Sequence, residues 1–286
     1  MPRLELQARA KLNLTLDVLD RRPDGYHNMR MIMQSVDLGD KITLETRPTG
    51  GLTVHTNMKF LPNDERNLAA QAALRFAAQT GKRWDGLHIN VQKNIPVCAG
   101  MAGGSSDAAA VLRGLNELTG AGLDAEALAG IGAGVGSDVP YCLMGGTALA
   151  EGRGERLTPL PPLPACHIVI CKPRFPVATP KLFERLRGRK LRCRPDTDGA
   201  RRALEEGDLP GVARRMYNVF EGVLQPRQER EVASIKHLLV NCGALGATMS
   251  GTGPTVFGLF NVEQQALAAA EALAVQYRDV FLTRPV

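Results

Sequence analysis

The chain has 286 residues, 44% of them hydrophobic and 22% charged, which is ordinary globular composition and enough for one large core or two smaller ones. No apolar run reaches the ~18 residues of a membrane-spanning helix, and the opening MPRLELQARAK holds no hydrophobic signal core, so a cytoplasmic protein without a membrane partner is expected. The formal net charge of +6 suits an anionic partner without choosing between nucleic acid and a phosphorylated small molecule.

From Leu4 to Val18 every even position is apolar, a strict alternation that predicts extended strand with one buried face and places Lys11 and Asn13 together on the opposite, polar face. The Pro-Asp-Gly of RRPDGYHN is a turn signal, which puts Tyr26 and His27 in or beside a loop. SVDLGDKITLE returns to strand composition, with Gly39-Asp40 expected as a turn. Asn67 is a good N-cap for a helix through LAAQAALRFAAQT, and Gly81 is a good stop.

LHINVQK alternates again and runs into NIPVCAGMAGGSSDAAAVLRGLNEL, where Val111, Leu112, Leu115 and Leu118 recur at helical spacing up to Gly120. The glycines therefore occupy a strand-to-helix connection. A further helix is expected from Asp124, followed by GAGVGSDVPYCLMGGTALAEG and a proline-rich crossing at Pro159 to Pro164. A domain boundary is expected there, dividing the chain into 1–158 and 159–286.

HIVICKP reads as a buried strand, residues 179–187 and 211–224 as helical, and EVASIKHLLVNC as another helix. ALGATMSGTGPTVFGLF is a glycine-punctuated turn between extended segments, and EQQALAAAEALAVQY is the last helix. Between them RLRGRKLRCRPD crowds six cationic residues from Arg185 to Arg194, but no aromatic residue interleaves the run. Stacking platforms for nucleic acid are thus missing, and a solvated basic loop is the reading preferred. The class is α+β or α/β, with no internal repeat.

The first N–H groups of a helix have no internal partner, and the helix dipole favours an anion beside them. A glycine-rich approach lets phosphate oxygens come close, and serine hydroxyls can donate to phosphate. The stretch AGMAGGSSD fits this, and it equally fits a tight structural turn in which Ser105 or Asp107 caps the helix. It holds no G-x-x-x-x-G-K-[ST] and lacks the distant acidic residue of a dinucleotide fold. A hydrolase with Ser105 or Ser106 as nucleophile would need a second signature that is not evident nearby.

IPVCAGMAGGSSDAA resembles the phosphate loop of the GHMP kinases, written P-x-x-x-G-L-[GA]-S-S-A with variants carrying extra glycines. MSGTGPTVFGLF is similar to that family's third motif. The A-K-L-N-L, R-P-D-G-Y-H and D-K-I elements, with GSDVPYCL, resemble the branch of the family that acts on 4-diphosphocytidyl-2-C-methyl-D-erythritol. Departures are Cys98 and Ala102 where glycine is common and Met101 in place of leucine.

The resemblance implies an α+β, two-domain fold, with a ribosomal-protein-S5-like N-terminal ATP-binding domain and a ferredoxin-like C-terminal substrate domain. It implies transfer of the ATP γ-phosphoryl group to the 2-hydroxyl of that diphosphocytidyl compound, in the non-mevalonate route to isoprenoid precursors. By match, Asp138 is the carboxylate that takes the hydroxyl proton and Lys11 the ammonium that steadies the moving phosphate. ATP is assigned to Asn67, Lys93, Pro96, Gly100, Ala102, Gly103, Gly104, Ser105, Ser106 and Asp107. Substrate is assigned to Asn13, Tyr26, His27, Phe183, Gly251, Thr252 and Gly253, with the cytosine stacked on Tyr26 and Phe183 and read by His27.

Neither the six scattered cysteines nor the histidines show metal-site spacing, so the metal expected is Mg²⁺ arriving with ATP, through Ser105 or Ser106. The expected partners are small molecules, with no nucleic acid, in a monomer or homodimer. Another small-molecule kinase of the same family, or a non-catalytic ligand-binding relative, is the alternative.

Overall fold

The structure is a computed structural model and describes residues 2–286 except 188, 190 and 192. Lys190 and Arg192 of the basic run therefore lie outside the described residues. The contacts form two compact units that interleave along the chain: Met1–Ala10, Leu38–Ile95 and Ala102–Gly145 make one, and Lys11–Asp37, Pro96–Met101 and Gly146–Val286 make the other. Two long strands cause this, β1 (Arg3–Arg21) and β2 (His27–Arg47), since each runs through both units.

In the first unit β3 (Gly51–Thr56) runs parallel to β4 (Gly86–Gln92), and β4 pairs antiparallel with the Lys41–Arg47 part of β2. The helices are α1 (Leu68–Thr80), α2 (Gly103–Thr119), α3 (Ala125–Ala133) and α4 (Val139–Met144). Two begin as the sequence predicts: Asn67 Oδ1 accepts the Ala69 N–H at 3.0 Å and Asp124 Oδ1 the Ala127 N–H at 2.8 Å. Helix α2 lies close on the sheet because Gly114 has no side chain. A Cβ there would stand 2.5 Å from Leu44 Cδ1 and 2.8 Å from Leu6 Cδ1.

In the second unit the Met29–Gln34 part of β2 pairs antiparallel with β5 (Thr147–Gly152), and β5 with β6 (Arg156–Pro159). A second sheet is built from β7 (His167–Lys172) onward. After it come α5 (Thr179–Leu186), α6 (Thr197–Glu205), α7 (Leu209–Arg215), the short β8 (Tyr217–Asn218), α8 (Pro226–Asn241), β9 (Gly246–Met249), β10 (Val256–Phe260), α9 (Glu263–Ala274) and β11 (Asp279–Thr283). The strand order is β11-β7-β10-β9, all antiparallel, with α8 and α9 as the crossovers. This β-α-β-β-α-β succession is the ferredoxin-like arrangement expected.

Three local expectations are corrected. Gly39-Asp40 is no turn; β2 passes straight through it, and the glycine is needed because a Cβ would stand 2.9 Å from the Ala8 carbonyl oxygen. The helix expected over 211–224 stops at Arg215. The chain then runs alongside β1 at Thr15 and Leu16, and Asn218 fixes the break by donating to Met249 O and Gly251 O, both at 2.7 Å. The polar face of β1 is not solvated: Lys11, Asn13, Thr15 and Asp17 are all buried. Each is satisfied, for Thr15 Oγ1 accepts the Ile32 N–H at 3.1 Å and Asp17 pairs with Arg194 at 2.7 Å.

Candidate active site

The glycine-rich stretch is a chain of left-handed residues leading into α2. Cys98, Gly100 and Ala102 have φ of 53°, 72° and 56°. Glycine accepts this backbone without cost, whereas an L-residue is strained by about 1–2 kcal/mol, which explains why glycine is the usual occupant where this chain has Cys98 and Ala102. Ala102 stands at the N-cap and supplies no side-chain acceptor, so no side chain caps the first turn. Gly104 is exposed and Ser105 half-buried, leaving the start of a 17-residue helix open to an anion. Ser106 is turned the other way, its hydroxyl donating to Arg9 O at 2.6 Å.

Behind this turn the first unit holds a buried ionic cluster. The Lys93 ammonium donates to Asp40 Oδ2 and to Asp107 Oδ2, the latter at 2.7 Å. Asp40 also accepts the backbone N–H groups of Asn94 at 2.5 Å and Ile95 at 2.7 Å, so its charge is well compensated. Asp107 is less well served, because its Oδ1 is buried without a hydrogen-bond partner. Burial first, with the Asp40 charge adding to it, pushes the Asp107 carboxyl up to about 8 against the pull of Lys93. Burial opposes the charge on Lys93, yet the two carboxylates together hold its pKa above the usual lysine value. Gly103 makes room for this ammonium: a Cβ would stand 3.2 Å from Lys93 Nζ.

In the same unit a Cβ on Gly136 would lie 3.6 Å from Ser105 Oγ, so the hydroxyl sits beside the segment that carries Asp138. Asp138 occupies the N-cap of α4, and its carboxylate makes no hydrogen bond to the helix N–H groups. The capping role that its position would suggest is thus not what its side chain does.

In the second unit β1, the Gly100 loop and the MSGTGP turn lock together. Lys11 is only 5% exposed and its Nζ donates to Asn13 Oδ1 at 2.8 Å. Asn13 Oδ1 also accepts the Gly251 N–H at 2.9 Å, and the Asn13 N–H donates to Ser250 Oγ at 3.2 Å. The Ser250 hydroxyl donates to Gly100 O at 2.9 Å, while a Cβ at Gly100 would collide with the Ser250 carbonyl oxygen. Gly253 N–H closes the turn onto Ser250 O at 2.9 Å, and the Thr252 hydroxyl meets that of Thr179 at 2.9 Å.

The same unit carries the aromatic group. His27 stacks on Phe183 with ring centroids 5.0 Å apart and 22° between planes, and Phe183 meets Phe220 edge-on. Tyr26 is 55% exposed, with Arg153 Cζ 4.5 Å from its ring centroid. Burial, then the charges of Arg21 and Arg187, hold His27 below the usual imidazole value. The neutral ring offers one N–H donor and one lone pair.

The models of the GHMP kinase N-terminal and C-terminal domains match residues 67–146 and 200–279. A 4-diphosphocytidyl-2-C-methyl-D-erythritol kinase of Lachnoclostridium phytofermentans is 46% identical over 287 residues, covering 98% of this chain and 97% of its own. That of Alkaliphilus metalliredigens is 43% identical over 284 residues, covering 99% and 97%. The chain belongs to the GHMP kinases. The crystal structure of a 4-(cytidine 5'-diphospho)-2C-methyl-D-erythritol kinase superposes with a TM-score of 0.83 at 33% identity over 99% of both chains. A homoserine kinase from Cytophaga hutchinsonii, 21% identical with a TM-score of 0.76 over 99% of this chain and 95% of its own, shares the fold.

In this GHMP kinase the residues singled out in the sequence fall into separate groups. Lys11, Asn13, Gly100, Gly251 and Gly253 come together in one unit, as do His27 and Phe183, while the Tyr26 ring meets Arg153 instead; Gly103, Gly104 and Ser105 form the open helix start in the other unit. Asn67 is occupied as a cap, its Nδ2 donating to Pro62 O at 2.9 Å, and Pro96 is a half-buried link into the loop. Asp40, Ser250 and Arg153 escaped the sequence reading. Asp40 stands in the quoted D-K-I element and Ser250 in the quoted S-G-T-G turn, so the signal for both was present; Arg153 carries none.

Proposed function

We propose that this GHMP kinase transfers the γ-phosphoryl group of ATP to the 2-hydroxyl of 4-diphosphocytidyl-2-C-methyl-D-erythritol, giving its 2-phosphate and ADP in isoprenoid precursor biosynthesis by the non-mevalonate pathway. The observation that carries this reading is identity of 43–46% to kinases of that name over nearly the whole chain. The open, uncapped start of α2 fits a polyphosphate, which supports ATP as the donor.

Phosphoryl transfer rests mainly on positioning and charge stabilisation. The N–H groups at Gly103, Gly104 and Ser105 hold phosphate oxygens, and the Ser105 hydroxyl would hold Mg²⁺ arriving with ATP, which would supply positive charge against the phosphates. Asp138, not engaged as a cap, accepts the proton of the attacking hydroxyl. Lys11, fixed by Asn13, presents its ammonium to the transferring group. Lys93 and Asp107 serve ATP indirectly by fixing the helix start, and Ser106 by anchoring it on β1. The cytosine is held between Tyr26 and Phe183, with the neutral His27 reading its donor–acceptor edge. Since His27 already stacks on Phe183, entry of the base requires His27 to slide or swing aside.

The test is acceptor choice in an ADP-release assay. The cytidylylated compound is expected to be turned over while homoserine and mevalonate are not; equal turnover of either, together with an unchanged KM in Tyr26→Ala, would overturn the reading.

A further inference from the structure

The basic run has no part in the proposed phosphoryl transfer, yet three of its described residues, Arg187, Arg189 and Arg194, line one cavity. The loop after α5 and the end of β1 enclose a cavity of about 320 Å³ in the second unit. Arg21, Arg187, Arg189 and Arg194 line it, and so does His27, which makes it a neighbour of the aromatic group. Of the four guanidiniums only that of Arg194 has a carboxylate partner among the described residues, Asp17 at 2.7 Å. Four cations line one cavity, with Asp17 paired to Arg194 and the Asp20 carboxylate near enough to act on His27, so positive charge is in excess and favours entry of an anion.

Arg21 and Arg187 stand close enough to His27 for their charges, after burial and against that of Asp20, to lower its imidazole pKa, which places them beside the same cavity. Guanidiniums present paired N–H donors that match phosphate oxygens in a bidentate fork, and the cavity exceeds the size of a diphosphate. Leu186 and Leu191, both half-buried, add an apolar side to the lining.

We propose that this cavity is an anion site for a phosphate-bearing group, formed by Arg21, Arg187, Arg189 and Arg194 beside His27. Two sources share that chemistry: the diphosphate of the cytidine-linked substrate, and a separate free nucleotide or polyphosphate. The first source rests on the function proposed above; the anion site itself does not.

The test is calorimetric titration of inorganic pyrophosphate into the full chain with the ATP site filled by Mg²⁺ and a non-hydrolysable ATP analogue, for the wild type and Arg187→Glu/Arg189→Glu. Binding to the wild type, weakened about tenfold or more in the double variant, is expected from the loss of charge-assisted contacts. Arg187→Lys/Arg189→Lys, which keeps the charge but loses the bidentate fork, should bind with an affinity between those of the wild type and the Glu variant and excludes misfolding as the cause. Loss of pyrophosphate binding when cytidine diphosphate is saturating assigns the site to the substrate's own diphosphate; persistence assigns it to a second ligand.

Equal affinity in wild type and the Glu variant, or no binding to the wild type at millimolar pyrophosphate, would overturn the proposal. Phosphoryl transfer measured on the same samples separates the two claims: turnover with unaltered pyrophosphate binding removes the anion site alone, and no turnover with binding lost in the variant removes the kinase reading alone.

Discussion

Lys93 lies between Asp40 and Asp107 with its side chain 4% exposed, whereas Arg187 and Arg189 stand exposed on a loop with no ion-pair partner among the described residues. Both are cationic centres of one kinase. The first has its counter-charges built in and spends them on architecture, holding β2, β4 and the start of α2 in register. The second has left its counter-charge to be supplied from outside. A buried charge must be matched by the protein because water cannot solvate it; an exposed one is free to be matched by a ligand.

The sharpest way to break that contrast is to remove Lys93. Lys93→Met leaves the buried Asp40 and Asp107 carboxyl groups without their shared cation and should cost about 3–5 kcal/mol in urea denaturation. Arg187→Ala, at an exposed site, should change stability by less than about 0.5 kcal/mol in the same assay. Comparable losses in the two variants would erase the distinction.

The pH dependence sharpens it further. The Asp107 carboxyl is raised to about 8 in the folded chain from an ordinary value of 3.8. The native state therefore keeps a proton that the unfolded state releases, and the stability from this group is full below about pH 4 and lost as pH rises towards 8. Lys93, raised above its usual value, contributes constantly across that window and fails only in more alkaline solution. Asp107→Asn should flatten the decline in unfolding free energy between pH 5 and 8; a slope identical to wild type would contradict the burial argument.

A smaller effect is expected in the glycine-rich stretch. Cys98 is exposed at φ 53°, so Cys98→Gly relieves a left-handed strain at the cost of a more flexible unfolded chain. A gain of about 0.5–1 kcal/mol in unfolding free energy is the outcome expected. A loss of stability would show that the side chain contributes more by contact than it costs by conformation.

The parts of the molecule that were legible in sequence are those governed by near neighbours. The Asn67 and Asp124 caps bond to N–H groups two or three residues on, and the period of β1 is written in its own side chains. What was misread depends on distant chain. Asp40 meets the Asn94 N–H 54 residues away, and nothing local distinguishes that from a Gly-Asp turn. Alternation in β1 marks two faces, but only the folded chain reveals that Thr15 and Asp17 find partners at Thr197 and Arg194 and that both faces are consequently buried. Likewise, Ser250 becomes meaningful only once Gly100 lies against it. The motif residues were visible because glycines and a Ser-Ser pair are local devices; the partners that hold them were not.

The central claim is phosphoryl transfer with Asp138 as the acceptor of the hydroxyl proton. Phosphorus NMR of ATP, Mg²⁺ and 4-diphosphocytidyl-2-C-methyl-D-erythritol with the wild type and with Asp138→Asn tests it most directly. A new phosphomonoester signal that forms about 10²–10⁴-fold more slowly in the variant is predicted. A signal that grows at the same rate in both would contradict the assignment of Asp138, and none in the wild type would contradict the reaction itself.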